Sequence, residues 1–471
     1  MVGGRSVSKS AGGVVGLLAA FAAATFACGD DETGAPVSPP GADAGVDGSS
    51  GPDRDAGNPT SDASTDGSTD GGPTGFSPKS TCETPKVAFS APLSIDKLSL
   101  AGAPGSPIIA GIGSLAQAGT AFYKCEARTY AAGAWSAPDT TFDNDCDQVL
   151  FRVASGGGHA VAFSRDRLST TTKRRRTTGG AFADIGAAAS GDQNRASSIG
   201  SAGHVVDTSM SAAGLVTVLY DAAGANEVVL PANTATSFTV QSIANVVDAM
   251  GNGFVVWLTS SPPTVHARAF RSGAWAGDAV ALATGATSDG QTLAMSAALL
   301  PNGDAYVAWF NAATANPAAA RGAFVHHDTG SGNSAWSTTI DEIDPAAVNA
   351  ASGKVLADGD GNLTVLWVGG SEIHARRRVT GTWGNVGSLG SASYLSAIID
   401  PQGHVTAITF DGQQALYHYR AEKGAAAWQP RVKVNGTVGA SDSAGVVIDP
   451  AGDLLIAWRD NGTNIYSSIC R

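Results

Sequence analysis

The sequence predicts an all-β fold built from a repeated four-stranded unit. A short motif, Asp-x-x-Gly followed six residues later by Trp, begins at Asp248, Asp358 and Asp449, and Leu300 begins a copy without the Asp. Self-similarity at a fixed interval indicates a repeat architecture. A second marker is an aromatic residue that opens one strand of each unit, and its copies lie 37 to 61 residues apart: Phe89, Trp135, Phe182, Phe238, Trp275, Trp336, Trp383 and Trp428.

The clearest unit spans residues 243–282. Its apolar segments Ile243–Ala249, Phe254–Leu258, Val265–Phe270 and Trp275–Leu282 are separated by Gly-containing turns, a pattern typical of antiparallel β-strands. Four antiparallel strands per unit make a blade of a β-propeller. The eight aromatic positions predict eight blades, or seven if the irregular unit between Leu93 and Tyr130 is not a true blade. The Trp residues that end the second strands, Trp257, Trp309, Trp367 and Trp458, are expected to pack between blades.

The two ends of the chain complement each other. The last unit, after Gly452, is too short for a fourth strand, whereas Val87–Ser94 reads as a fourth strand without the first three. We therefore expect the N-terminal strand to complete the last blade and close the ring. In the closed ring Cys82 and Cys470 become neighbours, which predicts disulfides Cys82–Cys470 and Cys125–Cys146. Free thiols are the alternative.

Residues 1–28 are predicted to be a targeting segment, because positive Arg5 and Lys9 precede the apolar stretch Ala11–Ala27. Its end, Thr25-Phe26-Ala27-Cys28, resembles the bacterial lipoprotein signal, in which the Cys is lipidated, although Thr replaces the usual Leu. Ordinary secretion with cleavage near Ala27 is the alternative. Residues 29–80 are rich in Asp, Gly, Pro, Ser and Thr, which predicts a disordered linker.

Residues 81–471, the predicted globular part, resemble bacterial propeller-repeat lipoproteins of uncharacterised function. The resemblance implies an exported protein that is anchored through Cys28 to a bacterial membrane, at the outer membrane, the cell surface or the periplasmic face. We expect a monomer. The net charge is -12, so no basic surface for nucleic acid is expected. The sequence has no His-Glu-x-x-His helix, phosphate-binding loop or Gly-x-Ser-x-Gly elbow. We expect neither a metal nor a cofactor.

One repeated polar position is an Arg on the third strand, seven residues before the aromatic marker. Its copies are Arg128, Arg175, Arg268 and Arg376, with Arg420 at eight residues. His266, His374 and His418 stand two residues earlier, where side chains share a strand face. Repeated Arg and Trp resemble the sugar sites of fungal fucose-binding propeller lectins, which implies an aromatic face against a sugar ring. The structural alternative is Arg stacked on Trp or paired between blades.

A second repeated position is an Asp or Asn directly after the second strand: Asp166, Asp221, Asn311, Asp411 and Asp460. This turn lies on the face where most propellers bind ligands, so a ring of carboxylates there would suit a cation or a polar substrate. The structural alternative is a turn former. The motif also resembles the Asp-box of sialidases, but it lacks the Ser/Thr before the Asp and its Trp lies too far along, so no sialidase residue is assigned.

These patterns favour a non-enzymatic binding or interaction module, because the repeats are polar only at turns. A lectin that uses the Arg, His and Trp positions for a glycan is the first alternative. A polysaccharide hydrolase or lyase with its site at the channel mouth, carried by Asp411 and Asp460, is the second. If the chain is a non-enzymatic binding module, its ligand is expected to be a protein or a glycan.

Overall fold

The repeated motif forms a tight turn between two strands. In the Asp248 copy, the Oδ1 atom accepts hydrogen bonds from the backbone N–H groups of Met250 and Asn252, both at 2.8 Å. Gly251 has a φ of 79°, a conformation that a Cβ disfavours. The Asp358 and Asp449 copies cap their turns in the same way, and so does Asp400, which precedes a similar turn without the Trp. The motif is therefore explained by backbone geometry.

A computed structural model gives the whole arrangement. It describes residues 79–471 except for 91–93, 103–107, 116–122, 140–151, 157–158, 166–171, 178–181, 189–194, 212–213, 223–226, 234–239, 261–262, 285–292, 312–319, 327–334, 337–338, 345–349, 393, 412–413, 441–442, 450–451 and 461–462. The predicted signal, Cys28 and nearly all of the predicted linker lie outside the described residues. Within the described part, no helix is long and apolar enough to cross a membrane.

The described residues form eight antiparallel sheets, here called blades 1 to 8. The first strand, β1 (Lys86–Ser90), belongs to blade 8. Blade 1 comprises β2 (Ser94–Ala101), β3 (Ile108–Leu115), β4 (Tyr123–Ala131) and β5 (Ala134–Trp135). Blade 2 comprises β6 (Arg152–Gly156), β7 (His159–Arg165), β8 (Thr172–Thr177) and β9 (Ala183–Ala188). Blade 3 comprises β10 (Arg195–Ile199), β11 (Val205–Ser211), β12 (Gly214–Tyr220) and β13 (Glu227–Asn233).

The following three blades are longer, and two of them have a divided fourth strand. Blade 4 comprises β14 (Val240–Val247), β15 (Gly253–Ser260), β16 (Pro263–Arg271) and β17 (Ala274–Thr284). Blade 5 comprises β18 (Leu293–Leu299), β19 (Ala305–Asn311), β20 (Ala320–His326), β21 (Ala335–Trp336) and β22 (Asp341–Asp344). Blade 6 comprises β23 (Ala350–Ala357), β24 (Leu363–Gly369), β25 (Glu372–Val379), β26 (Thr382–Trp383) and β27 (Gly387–Ser391). The short strands β21 and β22 both pair with β20, and β26 and β27 both pair with β25.

The last two blades close the ring. Blade 7 comprises β28 (Tyr394–Ile399), β29 (Val405–Phe410), β30 (Leu416–Ala421) and β31 (Val432–Lys433). Blade 8 comprises β32 (Ala444–Ile448), β33 (Leu454–Arg459), β34 (Asn464–Cys470) and the N-terminal β1. The first strand of each blade contacts the first strand of the next, and β32 contacts β2. The predicted β-propeller is confirmed, including the completion of the last blade by the N-terminal strand.

The hydrophobic core is divided among the interfaces between blades. Trp257 packs with Leu215 and Leu219 of blade 3, and Trp309 packs with Val256 of blade 4. All four Trp residues of the motif, Trp257, Trp309, Trp367 and Trp458, are 0–1% exposed. The prediction that they pack blade against blade is confirmed.

A disulfide links Cys82 to Cys470 across the closure, as predicted. The backbones of Thr81 and Arg471 exchange two hydrogen bonds beside it, at 3.2 and 2.8 Å. Lys79, which was placed in the linker, donates to Asp453 of blade 8 at 3.1 Å. Cys125 is buried and disulfide-bonded, and its predicted partner Cys146 lies outside the described residues.

Blade 3 differs from its predicted register by one strand. The spacing of turn glycines along the chain predicts that Gly214 lies in the turn before the second strand of this blade, but Gly214 begins the third strand, β12. The first turn contains Gly203, with a φ of 91°. The fourth strand, β13, accordingly ends at Asn233, ahead of Phe238, which lies outside the described residues. Both glycines have positive φ, so residue type alone could not separate the two turns.

Candidate functional site

Arg268 lies on β16 of blade 4, opposite an irregularity in the pairing of β16 with β17. The irregularity contains Gly277, with a φ of 79°, whose carbonyl accepts a hydrogen bond from Arg268 Nε at 2.9 Å. The guanidinium carbon lies 4.8 Å from the centre of the Trp275 ring, a cation–π distance. Among the described residues, the two terminal nitrogens of Arg268 make no hydrogen bond or ion pair with the protein.

His266 extends this arrangement along the same strand face. Its ring stacks on Trp257, with ring centres 5.4 Å apart and an interplanar angle of 15°. Burial lowers the pKa of His266, so the ring is neutral at pH 7. Burial also lowers the pKa of Arg268, with the charge of Asp278 acting in the opposite direction. We call Arg268, Trp275, His266 and Trp257 the blade-4 ladder.

Blade 6 repeats this arrangement, but its arginine donates hydrogen bonds to the neighbouring blade. Arg376 lies 5.6 Å from the Trp383 ring centre, and His374 stacks on Trp367 at 5.6 Å. Arg376 Nε donates to Gly384 at 2.8 Å. Its Nη1 atom donates to the carbonyls of Glu342 and Ile343 in blade 5, at 2.8 and 2.9 Å. Arg376 therefore joins two blades, as in the structural alternative.

A second group of hydrogen bonds, centred on Asp341, holds Trp383 in position beside Arg376. The Asp341 carboxylate of blade 5 accepts hydrogen bonds from the Trp383 indole and from the Tyr306 hydroxyl, both at 3.0 Å. Burial and the Asp341 charge raise the pKa of Tyr306, so this hydroxyl remains a hydrogen-bond donor. Asp341 could not be recognised from the repeat pattern because it lies on the short strand β22, away from the repeated positions.

In blade 1, Arg128 forms an ion pair with a carboxylate. Its Nε donates to Glu126, which occupies the position of His266 and His374, two residues earlier on the strand. The guanidinium carbon lies 4.7 Å from the centre of the Phe89 ring, in blade 8. The Arg positions of blades 1, 4 and 6 are therefore equivalent in the strand but differ in their partners. The side chain of Arg175 lies outside the described part of β8.

The proposed fifth copy, at Arg420, is wrong. Arg420 pairs in register with Thr406, as Arg377 pairs with Thr364 in blade 6; Arg420 is therefore equivalent to Arg377, on the opposite face from Arg376. A one-residue shift reverses the face of a strand. Arg420 is 4% exposed, and its Nη2 donates to Asp400 Oδ2 at 2.6 Å.

The Asp400 carboxylate is also bound by a histidine. His404 Nδ1 lies 2.9 Å from the same Oδ2 atom, and Arg420 Nη1 donates to Thr406 Oγ1 at 3.2 Å. Burial lowers the pKa of Arg420, while Asp400 acts to raise it. Asp400 also caps the first turn of blade 7 through the His404 backbone N–H, at 2.8 Å. This cluster stabilises the turn and the packing of blade 7.

His418 is displaced to the opposite face by the same shift. It is 2% exposed, and one of its ring nitrogens lies within 4.8 Å of the sulfur atoms of Cys82 and Cys470. Burial, followed by the charge of Arg420, lowers the pKa of His418 to about 4, although the Lys79 backbone acts in the opposite direction. Neither ring nitrogen makes a hydrogen bond of accepted geometry.

The predicted carboxylates serve turns. Asp411 Oδ1 accepts the Ala415 backbone N–H at 2.9 Å. Asp460 accepts the Asn464 backbone N–H at 3.1 Å and its side-chain amide at 2.8 Å. Asp221 follows the third strand, β12, instead of the second, which corrects its predicted position. Asp166 lies outside the described residues.

The fold defines the class of protein: a β-propeller with a polar position that recurs on the third strand of several blades. No protein-family model matches the chain, and no curated protein matches it.

Solved structures share the architecture. The chain is similar to the Aleuria aurantia lectin, which has a six-bladed β-propeller fold, with 12% identity over 75% of this chain and 99% of that one and a TM-score of 0.37. It is similar to leech intramolecular trans-sialidase, with 11% identity over 82% and 70% and a TM-score of 0.38. It is also similar to the polysaccharide lyase Uly1, with 10% identity over 73% and 93% and a TM-score of 0.42. At these values the ligands and activities of those proteins give no guide to this chain.

Proposed function

We propose that this chain is a non-enzymatic binding module, tethered to a bacterial membrane through a lipid on Cys28, and that it binds its ligand at the blade-4 ladder. The supporting observation is the state of Arg268. Arg128 forms an ion pair with Glu126 through Nε, and Arg376 Nη1 donates to two carbonyls of blade 5. Among the described residues, Arg268 has neither an ion-pair partner nor an acceptor for its terminal nitrogens, since its hydrogen bond is made by Nε.

The chemistry of the ladder indicates the kind of ligand. A planar guanidinium presents paired N–H donors that suit a carboxylate or adjacent hydroxyl groups. Its stacking on Trp275 orients those donors at little entropic cost. Arg268 is half-buried, so fewer water molecules compete for its donors and a hydrogen bond to an incoming oxygen is strengthened. The ligand should therefore present a carboxylate or vicinal hydroxyls at its point of contact.

The carboxylates do not support a catalytic reading. Asp411 and Asp460 are each engaged by N–H groups of their own turns. An exposed side site on a rigid fold is better suited to binding than to excluding water around a reaction.

A lectin is the second candidate, since Arg268 and Trp275 together offer donors and an aromatic surface, which are the groups that a sugar with vicinal hydroxyls would contact. The test is binding of the purified propeller to arrays of neutral and acidic glycans and to acidic peptides. Arg268→Ala should reduce binding at least about tenfold, the loss expected for one charged hydrogen bond.

The matched control is Arg431→Ala. Arg431 also stacks on an aromatic ring, with its guanidinium carbon 4.3 Å from the centre of the Tyr417 ring, but it belongs to blade 7 and should leave binding unchanged. Equal losses in the two variants would show a nonspecific charge effect. Binding that survives Arg268→Ala unchanged would refute the site. An array that gives no signal, with a clear signal from acidic peptides, would remove the lectin candidate and retain the binding module.

A further inference from the structure

The interface between blades 7 and 8 holds an unusual group of side chains. His418 projects from β30, the third strand of blade 7, towards the disulfide that closes blade 8. A buried imidazole ordinarily uses both nitrogens in hydrogen bonds. Here both Nδ1 and Nε2 are buried without a hydrogen bond of accepted geometry, and the Lys79 backbone is the only hydrogen-bonding group among the described residues that influences the ring. The orphaned ring and the two sulfurs therefore face one another in a site that packing alone does not explain.

The geometry suits a tetrahedral cation once the sulfur–sulfur bond is opened. One ligand atom from each of Cys82, Cys470 and His418 lies within 4.8 Å of the other two. In a tetrahedral zinc site, ligand atoms bound at about 2.0–2.3 Å lie roughly 3.6–3.8 Å apart. Side-chain rotations of the two cysteines can reach that separation without a change in strand pairing.

The backbone holds the two cysteines together independently of their covalent bond. Cys82 and Cys470 form an antiparallel bridge, flanked by backbone hydrogen bonds from Glu83 to Ile469 at 2.8 Å and between Thr81 and Arg471. Arg471 also forms an ion pair with Asp453 at 2.8 Å. Reduction should therefore leave both thiols beside His418.

The charge balance of the site also fits a divalent cation. Two thiolates neutralise the charge of a divalent metal, which limits the cost of burying it. Cys470 is fully buried, whereas Cys82 is partly exposed, so water can reach a fourth coordination position from that side. Two sulfurs and one imidazole nitrogen form a soft donor set that favours zinc over magnesium or calcium.

We propose that Cys82, Cys470 and His418 form a redox-gated metal site that binds a zinc-class divalent cation when the ring-closing disulfide is reduced. A dithiol reductant supplies two electrons and two protons to the disulfide and is itself oxidised to a disulfide. Binding of the cation releases the two thiol protons, forms two metal–sulfur bonds and takes the imidazole lone pair of His418. The metal then replaces the disulfide as the link between the N-terminal segment and the last strand.

The first experiment uses the full chain with Co²⁺ as the probe. The protein is reduced with a phosphine, which is removed under anaerobic conditions, and Co²⁺ is added while the absorbance is followed. Reduced protein should show thiolate-to-cobalt charge-transfer bands and tetrahedral ligand-field bands, which added Zn²⁺ abolishes at one equivalent. The disulfide form should show neither. Reduced protein without these bands would overturn the proposal.

Variants separate this site from the other cysteines. The test background carries Cys28→Ala, Cys125→Ala and Cys146→Ala, so that only the two proposed thiols remain. His418→Gln in that background should weaken Zn²⁺ binding at least about 100-fold, above the range that loss of a supporting residue produces. His418→Gln binding of unchanged strength would contradict the role of the imidazole. The disulfide form of each variant is checked by circular dichroism.

A measurement on the zinc-loaded protein guards against variants that fail to fold. X-ray absorption of reduced protein in the same triple-Ala background should show two sulfur neighbours near about 2.3 Å and a nitrogen, with imidazole scattering, near about 2.0 Å. A shell of only nitrogen and oxygen, or a shell of four sulfurs shared between two chains, would refute the proposed ligand set.

Discussion

Removal of the Cys82–Cys470 disulfide should loosen the ring at one defined place. The bond joins residues separated by 388 positions, and the loop-entropy relation gives an upper limit of about 6 kcal/mol for such a loop. Measured losses for native disulfides are typically about 2–5 kcal/mol. We expect the double variant Cys82→Ala/Cys470→Ala to fall in that range, because the pairing of β1 with β34 remains.

The prediction also states where the loss of stability should appear, which is the N-terminal strand β1. The segment from Lys79 to Ser90 is held to blade 8 by ion pairs at the surface, by backbone hydrogen bonds beside the disulfide and by one strand ladder. Ion pairs at the surface contribute about 0–1 kcal/mol each, so loss of the covalent bond should leave the segment paired with blade 8 but allow it to open more often. Hydrogen exchange of the β1 amides should then accelerate at least about 30-fold, which corresponds to 2 kcal/mol.

The assay is hydrogen–deuterium exchange with mass spectrometry on oxidised wild type, reduced wild type and the double variant. Strand β24, which is buried throughout and lies in blade 6, is the internal control and should change less than β1. Unchanged exchange in β1 of the variant would refute the argument that the disulfide closes the ring. The same exchange in reduced wild type and the variant, without added metal, would show that the covalent bond alone carries the effect.

Three further changes test the interior. Arg420→Leu leaves the Asp400 carboxylate buried without its closest charge partner and should cost about 3–5 kcal/mol in denaturant unfolding; a loss below 1 kcal/mol would contradict the buried ion pair. Gly353→Ala places a Cβ atom 2.4 Å from the Phe310 ring. The resulting overpacking should destabilise the protein by about 1–3 kcal/mol and lower the thermal midpoint of unfolding. An unchanged midpoint would contradict the close packing of Gly353 against this ring. In the disulfide form, His418 favours the folded state while neutral, because its pKa falls from 6.5 to about 4 on folding. Its contribution should therefore be constant above about pH 6.5 and decrease by about 3 kcal/mol towards pH 4, and the stability difference between wild type and His418→Gln should follow that profile; a flat difference would refute it.

The fold could be predicted because the repeated sequence motifs reflect the geometry of the turns in which they lie. The Asp-x-x-Gly motif is required by a turn in which the Asp caps backbone N–H groups and the Gly takes positive φ. The ring closure could be predicted because both chain ends carried incomplete units. Blade 3 was misread because the glycine at position 214 also has positive φ, and a turn after a first strand has the same composition as a turn after a second.

The sites were harder to predict because they depend on which face a side chain occupies. The spacing of eight residues at Arg420, instead of seven, was the available signal that its side chain and that of His418 point the other way. The distance from His418 to the disulfide was beyond the sequence, since it depends on how blade 7 packs on blade 8.

The equivalent arginines show why a repeated residue need not be a repeated site. The strand gives Arg128, Arg268 and Arg376 the same direction, but the surroundings decide what each can still bind. Glu126 on the same strand engages Arg128, and two carbonyls of blade 5 engage Arg376. Among the described residues, Arg268 donates only to the Gly277 carbonyl of its own blade. A repeat therefore supplies identical donors, and our proposal places the binding site where the neighbouring structure leaves those donors without an acceptor.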